Sequence, residues 1–227
     1  MVSGTETMSM TTTVAKSLDS EAAGSRVRQT PKSIATHQRI IEAAIRCFLD
    51  IGYHRTTTSE IAKQARVTRG AVQYYFPTTP EVLRATVDHI IQHFTAEYLA
   101  ATANVAHEGR EGLDQGIDAL WHAAHSPLWT AWKELEAAAR TDAELASIMG
   151  PAKAAFAARW EQTAKDLYGS FLVADPVKFE MGRHLAWQFL QALASSRFAP
   201  SAEDNDVKVR LLTEFKVLMR QYWGLTG

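Results

Sequence analysis

The sequence predicts an all-α protein, with an N-terminal three-helix head (residues 33–93) on a larger helical bundle body (residues 94–227) and about nine helices in total. Three observations favour this class. Apolar residues recur at helical spacing, and from residue 109 onward the chain shows helices and no strands. Capping residues and prolines stand where helices would begin. A pair of short helices joined by a tight turn is predicted within residues 57–76.

Residues 1–32 are predicted to be a disordered tail that ends in a basic arm. The first 25 residues are rich in Thr, Ser and small residues, so they have too few large apolar groups to form a core. Arg26, Arg28 and Lys32 follow as the basic arm. Either this arm lies along a DNA groove, or it is part of the tail with incidental charge.

The first helix is predicted over residues 32–51. Its buried stripe comprises Ile41, Ala44, Ile45 and Phe48, and Gly52 is expected to end it. The only cysteine, Cys47, lies within this helix, which excludes an internal disulfide and fits a reducing cytoplasm. Since no His is near it in sequence, we expect a buried, inert thiol.

Residues 57–76 are predicted to form two short helices joined by a tight turn. Thr57 caps the first helix, and Glu60 completes a capping box three residues later. That helix is expected to end near residues 65–66, and Thr68 is a good N-cap for the second. In the second helix, Val72 and Phe76 lie four residues apart and are expected to face the core.

The opposite face of that second helix carries side chains suited to a DNA major groove. Arg pairs bidentately with guanine, Gln pairs with adenine, and Tyr reaches phosphate. Gly70 would allow close approach of a large molecule to the backbone. The predicted DNA-binding residues are Thr56, Thr57, Thr68, Arg69, Gly70, Ala71, Gln73, Tyr74, Tyr75 and Thr79.

Residues 33–90 resemble the DNA-binding domain of the TetR (tetracycline repressor) family of bacterial transcription regulators. The resemblance rests on these residues in register: Gly52, Tyr53, Thr56, Thr57, Ile61, Ala62, Ala65, Val67, Thr68, Arg69, Gly70 and Phe76. The chain departs from the family pattern at Arg66 (usually Gly), Gln73 (often Tyr), Tyr75 (often His) and Thr79 (usually Lys). The resemblance implies a helix-turn-helix head, a ligand pocket in the body and dimerisation through the last two helices.

Charge is divided unevenly along a chain whose net charge is −1. Residues 26–93 hold ten basic and five acidic side chains, a net of +5, whereas the first 25 residues carry −2 and the remainder −4. A basic head on an acidic body is typical of a phosphate-binding unit. Ordinary variation in a solvated surface is the alternative.

A fourth helix is predicted to join the head to the body. It opens at Thr79, Pro80 and Glu81 and continues toward residue 103. His89 and His93 on this helix have metal-ligand spacing, but no third ligand is evident. We therefore favour a surface pair, and we expect no metal and no cofactor.

The remaining body helices are predicted from caps and breakers. Helices are expected over residues 110–124 and 128–140, and a capping box at residues 141–144 opens the next one. Gly150 and Pro151 are expected to interrupt that helix, with a long helix following. Asp175 and Pro176 start a helix that runs to about residue 198, and a final helix spans about residues 205–223.

All six tryptophans lie in the body. Aromatic residues at helical spacing pack in a core more often than they line a pocket, yet helical bundles do place ligand sites between helices. The candidate ligand-binding residues are Trp121, His125, Trp129, Trp132, Phe156, Trp160 and His184, which indicate a largely apolar, aromatic ligand.

The last two predicted helices are apolar on more than one face, which suggests that one face packs inside the body and another against a second copy. The candidate dimer-interface residues are Met181, Leu185, Phe189, Leu211, Phe215 and Leu218. The alternative is that all of these residues form intramolecular core.

Together these features predict a cytoplasmic, homodimeric repressor that a small-molecule effector releases from a pseudo-palindromic operator in double-stranded DNA. Two alternatives remain: a DNA-binding regulator without a small ligand, and an all-α enzyme. The sequence lacks a P-loop, a zinc motif or a nucleophile elbow, so we expect no enzyme. It also lacks a run of about 18 apolar residues, so we expect no membrane association.

Overall fold

The computed structural model describes residues 30–106, 108–196 and 201–225, and within them it contains ten α-helices, one short 3₁₀ turn and no strand. Contacts divide the chain into two units with the boundary between residues 38 and 39, inside the first helix, and the described residues of the first unit are 30–38. The predicted all-α class is confirmed. The division into tail, head and body at residues 32 and 93 stays a prediction, and residues 1–29 lie outside the described part.

The helices follow one another with short connections, and most begin at a recognisable cap. They are α1 (Pro31–Ile51), α2 (Thr58–Ala65), α3 (Arg69–Tyr75), α4 (Thr79–Thr102), α5 (Gly109–Ala124), α6 (Pro127–Ala138), α7 (Ala143–Leu167), α8 (Gly169–Ala174), α9 (Pro176–Ser195) and α10 (Ser201–Trp223), with the 3₁₀ turn Tyr53–Arg55 between α1 and α2.

The helix-turn-helix forms as predicted. The α1 stripe is buried together with apolar residues of α2 and α3, including the fully buried Val72 and, just after α3, Phe76. Thr57 Oγ1 accepts a hydrogen bond from the Glu60 N–H at 3.2 Å, and Thr68 Oγ1 accepts one from the Ala71 N–H at 3.1 Å. Cys47 is buried, and burial raises the pKa of its thiol, which agrees with an inert role.

The turn between α2 and α3 is made by a residue that tolerates it poorly. Arg66 has φ of 54° and ψ of 47°, and its N–H bonds to the carbonyls of Ala62 and Lys63. It is the only non-glycine residue with positive φ among those described. A residue in the left-handed conformation at the C-terminal end of a helix is usually glycine, because glycine has no Cβ to clash with the backbone. This geometry explains why the family usually has glycine here.

Arg66→Gly is therefore expected to raise the free energy of unfolding by roughly 0.5–1 kcal/mol, because relief of the left-handed strain exceeds the added entropy of the unfolded chain. Urea unfolding followed by far-UV circular dichroism measures the change. Arg66→Ala is the matched control, since it removes the same charge but retains Cβ. If both variants gain equally, charge and not backbone conformation is responsible.

Two predicted helix starts differ from the structure by one residue. The N-cap of α4 is Thr78, not Thr79, and the Thr78 hydroxyl donates to Glu81 Oε1 at 2.8 Å. The N-cap of α7 is Asp142, whose Oδ1 accepts from the Leu145 N–H at 2.9 Å. In both cases two adjacent residues were capable caps, and the sequence pattern alone does not choose between them.

The predicted interruption at Gly150 and Pro151 is wrong, because α7 is continuous through both residues. Proline removes one helical hydrogen bond, but buried residues on either side hold the helix to the same core, Met149 before it and Phe156 after it. The short helix α8 was not predicted. Helix α9 ends at Ser195, and the predicted extension to residue 198 falls partly outside the described residues.

Aromatic rings form the centre of the body. Phe94 of α4 is fully buried, and its ring centroid lies 5.3 Å from that of Trp129, 5.8 Å from Phe156, 5.5 Å from Trp160 and 6.3 Å from Trp187. The N-terminal half of α4 meanwhile packs against the helix-turn-helix core. In the described part of the chain, no helix has the length and apolar character needed to cross a membrane.

A second connection joins the turn after α1 to the body. The Tyr53 N–H donates to Glu134 Oε1 at 2.8 Å, and the Tyr53 hydroxyl donates to Asp142 Oδ2 at 2.8 Å. Burial and the hydrogen bond to Asp142 raise the pKa of Tyr53 to about 12, so the hydroxyl stays protonated. Gly52, with φ of 77°, leaves room for this contact, since a Cβ there would lie 3.0 Å from Glu134 Oε1.

Candidate DNA-binding surface and body cavity

Helix α3 presents a polar, exposed face. Arg69, Gln73 and Tyr74 are all exposed, and 76% of the Tyr74 surface is accessible. The buried side chains of Val72 and Phe76 fix the rotation of the helix, so these three residues point away from the core. The face carries the donors and acceptors that base edges and phosphates require.

The predicted DNA-contacting threonines differ in what their hydroxyls can do. Thr57 and Thr68 use the oxygen as an acceptor in their caps, which leaves the hydroxyl proton to donate to a phosphate. The Thr56 hydroxyl instead donates to the Gly52 carbonyl at 2.8 Å, so its proton is already used within the turn, and its contact with DNA stays a prediction. Thr79 is exposed at the first residue of α4.

The prediction that Tyr75 and Ala71 face outward is only partly met, because both are half-buried. Tyr75 packs against the head core, and its ring meets that of Tyr74 edge-on with centroids 5.2 Å apart. Residues two apart on a helix point to nearly opposite sides, so Tyr75 cannot face the same way as Gln73. Tyr75 instead borders the buried stripe of α3. Its contribution is to support Tyr74.

Basic side chains of the head divide into two kinds. Arg39 Nη2 donates to the Ala65 carbonyl at 3.2 Å, and Arg55 Nε donates to the Ile51 carbonyl at 2.7 Å, so both stabilise helix C-termini. Lys63, Arg66 and Arg69 are exposed on α2, on the turn and on α3. These three supply the positive charge next to the polar face of α3.

Gly70 has no structural need to be glycine. A Cβ built there meets only Thr68 Oγ1, at 3.9 Å, and the backbone is helical. We therefore expect Gly70→Ala to keep or slightly raise stability, by up to about 1 kcal/mol, because alanine favours helix. DNA binding is expected to fall by roughly tenfold, about 1.4 kcal/mol, because the methyl group blocks close approach of the duplex.

Thermal unfolding and fluorescence anisotropy with operator DNA test this pair of effects. Ser59→Ala, at an exposed position on α2, is the control for an added alanine. Unchanged DNA affinity in Gly70→Ala would show that the duplex does not approach this face closely.

One cavity of the body has a volume of about 80 Å³ and lies between α4, α5, α7, α8, α9 and α10. It is lined by Tyr98, Leu113, Gly116, Ile117, Leu120, Trp160, Ala164, Tyr168, Phe171, Phe179, Gly182, Arg183, Trp187, Met219 and Trp223. The walls are mainly apolar, and the polar exceptions are the hydroxyls of Tyr98 and Tyr168 and the guanidinium of Arg183.

Of the predicted ligand-binding residues, only Trp160 lines this cavity. Trp132 and Phe156 belong to the closed aromatic core, as does Trp129, which otherwise borders a surface cleft between α6 and α9. His184 is exposed and faces Glu180. Trp121 is half-buried, and His125 is exposed with its Nδ1 2.8 Å from the Trp121 carbonyl oxygen. The spacing of the aromatic residues did not distinguish rings that pack in the core from rings that line this cavity.

Two glycines line the cavity, whose position the pattern of aromatic residues in the sequence did not predict. A Cβ at Gly116 would lie 2.6 Å from Tyr168 Oη, and one at Gly182 would lie 3.0 Å from Tyr222. Glycine in the middle of a helix costs stability, so it usually signals a close approach. That signal is present in the sequences of α5 and α9 and could have located the cavity.

An apolar stripe remains exposed on α9. Val177, Met181 and Leu185 follow at four-residue spacing and are 74%, 63% and 51% exposed, and Leu218 of α10 is 60% exposed. Three of the other predicted interface residues are less available. Phe215 is 4% exposed and packs in the core, and the Phe189 ring stacks on it with centroids 4.2 Å apart. Leu211 is half-buried. Val177 was missed.

His89 and His93 stack with ring centroids 3.9 Å apart. Burial lowers the pKa of His89, and the charge of His93 lowers it further, although Glu42 opposes both. Within the described residues, no group of three or more His, Cys, Asp or Glu side chains is placed to hold a metal ion.

Comparison with known proteins agrees with this geometry. Residues 40–86 match the model of the family described as "Bacterial regulatory proteins, tetR family". The chain is 40% identical over 79 residues to the probable HTH-type transcriptional regulator ArpR of Pseudomonas putida, and 43% identical over 65 residues to the HTH-type transcriptional regulator TtgR of the same species. These matches span 35% and 30% of the length of those relatives and 35% and 29% of this chain.

Solved structures resemble the whole fold at low sequence identity. A transcriptional regulator of Rhodococcus sp. Rha1 superposes with a TM-score of 0.60 at 18% identity, covering 82% of this chain and 96% of its own. Salmonella enterica GusR superposes with a TM-score of 0.59 at 17% identity, covering 86% and 98%. The multidrug binding protein EbrR, solved with malachite green, superposes with a TM-score of 0.51 at 20% identity, covering 78% and 96%.

At such identities, the structural likeness shows the fold alone. The family match and the two relatives named above, both HTH-type transcriptional regulators, cover the helix-turn-helix. The exposed, polar α3 described above is the second helix of that unit. Residues 40–86 therefore form a helix-turn-helix of the TetR family type.

Proposed function

We propose that the protein is a homodimeric, cytoplasmic repressor that leaves its operator when a small, largely apolar ligand enters the body cavity. One observation carries this proposal. Helix α4 begins four positions after the end of α3, the proposed recognition helix, and continues unbroken past Tyr98. The Tyr98 side chain forms part of the cavity wall. A ligand that displaces Tyr98 thus acts on the helix that follows the DNA-binding residues directly.

The dimer would place one α3 in each of two successive major grooves. The exposed stripe on α9, together with Leu218 on α10, supports such a pairing, because apolar side chains at regular spacing cost free energy when left in water. A two-fold dimer binds a pseudo-palindrome with half-sites about one DNA turn apart. Arg69 and Gln73 would read base edges, with Thr57, Thr68 and Tyr74 on phosphates.

Release would follow from a change in the separation of the two recognition helices. A ligand with higher affinity for a conformation whose heads no longer match the half-sites shifts the population toward it. A coupling of only about 1–3 kcal/mol changes operator affinity roughly 5- to 150-fold. The multidrug binding protein EbrR, which has this fold, was solved in complex with malachite green, and this supports the proposal by analogy.

A regulator without any small-molecule effector is the second candidate. The observation in its favour is the size of the cavity, about 80 Å³, against about 300–1,000 Å³ for pockets that hold drug-sized ligands. Under this alternative, the aromatic body is only a core. The two candidates share the DNA-binding function and differ in whether a compound in the cavity changes operator affinity.

Selection from a random double-stranded DNA pool tests the shared function. The full-length protein is incubated with the pool at moderate salt, and bound DNA is amplified and sequenced through several rounds. We expect enrichment of a two-fold symmetric sequence, and footprinting should show protection of two adjacent major grooves on one side of the duplex. Enrichment of a single unpaired half-site would contradict the dimer, and absence of any enriched sequence would contradict specific DNA binding.

A further inference from the structure

We infer that the cavity ligand is an uncharged molecule about the size of one aromatic ring that carries a single hydrogen-bond acceptor, and that Arg183 Nε donates to this acceptor. This inference rests on the proposed ligand site and adds its chemical class. It follows from a buried donor of the cavity that the described residues leave unused, and from the charges that already surround that group.

Arg183 of α9 lines the cavity and carries a buried donor. Its Nη2 donates to Glu180 Oε2 at 2.7 Å, which orients the guanidinium. Its Nε is buried and has no hydrogen-bond acceptor among the described residues. A buried donor without a partner costs about 1–3 kcal/mol, and an acceptor supplied by a ligand would remove that cost. The residue also lines the cavity, so the acceptor belongs there.

The charge of Arg183 is already compensated. Glu180 pairs with it directly, and Glu161 lies close enough for the positive charge of Arg183 to lower the Glu161 pKa, after the larger effect of Lys165. A carboxylate in the cavity would therefore add an uncompensated negative charge near two others, inside an apolar wall. A neutral carbonyl or ether oxygen accepts the same hydrogen bond without that cost.

The other polar groups of the cavity are neutral as well. Burial raises the pKa of Tyr98 well above its ordinary value, and the neighbouring Tyr168, to which its hydroxyl is hydrogen-bonded, raises it further. Burial also raises the pKa of Tyr168. Both phenols thus stay protonated, and the site offers hydrogen-bond donors but no charge that an ammonium ligand would need.

The remaining walls determine the body of the ligand. Trp160, Phe171, Phe179, Trp187 and Trp223 present flat apolar surfaces, and the volume of about 80 Å³ admits little beyond one ring unless side chains move. Gly116 and Gly182 leave space at points where any side chain would crowd neighbouring rings. The cavity therefore favours a compact aromatic or alicyclic compound over a long chain.

Three probes of similar size separate the possibilities: ethylbenzene, acetophenone and benzoate. Their binding to the full-length protein is measured by titration calorimetry, with tryptophan fluorescence as a second readout. We expect acetophenone to bind about tenfold more tightly than ethylbenzene, the effect of one hydrogen bond to a charged donor, and benzoate to bind more weakly than acetophenone.

Arg183→Met should abolish the preference for acetophenone while ethylbenzene still binds, which shows that the cavity remains folded. Arg183→Gln, which keeps an N–H donor, should retain part of the preference. Gln188→Ala, exposed on α9 and outside the cavity lining, is the control and should leave all three affinities unchanged.

Tightest binding by benzoate, equal binding of acetophenone and ethylbenzene, or no binding by any probe would each overturn the inference. None of these outcomes would overturn the proposed repressor. That proposal falls instead if selection enriches no palindrome, or if a compound bound in the cavity leaves operator affinity unchanged.

Discussion

Leu185→Glu is expected to convert the dimer to monomers and to lower operator affinity by about 10²–10⁴-fold. Leu185 is the last residue of the exposed α9 stripe and lies one helical turn after Met181. In the proposed dimer, a carboxylate there would be desolvated against an apolar partner surface without a counter-charge. Each monomer would then bind one half-site only, and the gain from linking two half-sites would be lost.

Sedimentation velocity and operator binding by fluorescence anisotropy measure the two effects on the same preparation. Leu99→Glu is the matched control, because Leu99 is 41% exposed on α4. It should stay dimeric and bind the operator normally. A wild-type protein that sediments as a monomer at micromolar concentration would exclude the dimer, and with it the palindromic operator.

Arg69→Ala is expected to reduce operator affinity about 5- to 150-fold per half-site, corresponding to roughly 1–3 kcal/mol for each lost bidentate base contact. Arg69 begins the exposed face of α3, and its charge has no structural use comparable to that of Arg39 or Arg55. Preference for one base pair in each half-site should relax at the same time, because the contact reads sequence.

Anisotropy titrations with the selected operator and with single-base variants test this expectation at matched salt. Arg140→Ala removes an exposed arginine from the body and controls for net charge. Should Arg69→Ala weaken every sequence equally, Arg69 contacts phosphate and not a base. Should it bind like the wild type, α3 is not the recognition helix.

The head was predictable because each of its features is local. Thr57 and Thr68 cap helices through atoms three residues away, and the four-residue spacing of Val72 and Phe76 fixes the buried face of α3. Thr56 was predicted to be one of the DNA-binding residues. Its actual bond to Gly52 depends on the turn geometry after α1, which the sequence pattern does not encode.

The body was predictable as a bundle but not as a site. Trp129, Trp132 and Phe156 have the composition of an aromatic pocket, yet Phe94 from α4 fills the space between them and makes a closed core. Phe215 and Leu218 lie three residues apart on the same side of α10, yet Phe215 is buried and Leu218 is exposed. Spacing shows that residues share a face, and only the packing of the other helices shows whether that face is covered.

Pro151 illustrates a different limit. Its residue type predicts a break, but the helix continues because Met149 and Phe156, on either side of it, are buried in one core. Local propensity is a small free energy, and several buried side chains outweigh it. Long-range packing of this kind cannot be recovered from a window of neighbouring residues.

The central claim, that occupation of the cavity and binding of DNA oppose each other, is tested most directly by a reciprocal titration. Acetophenone affinity is measured with and without saturating operator, and operator affinity is measured with and without saturating acetophenone. Linkage requires that the two factors be equal, and we predict a factor of about 5–150, with each partner weakening the other. Acetophenone that binds with the same affinity whether or not operator is present would contradict the claim and leave a DNA-binding regulator with a passive cavity.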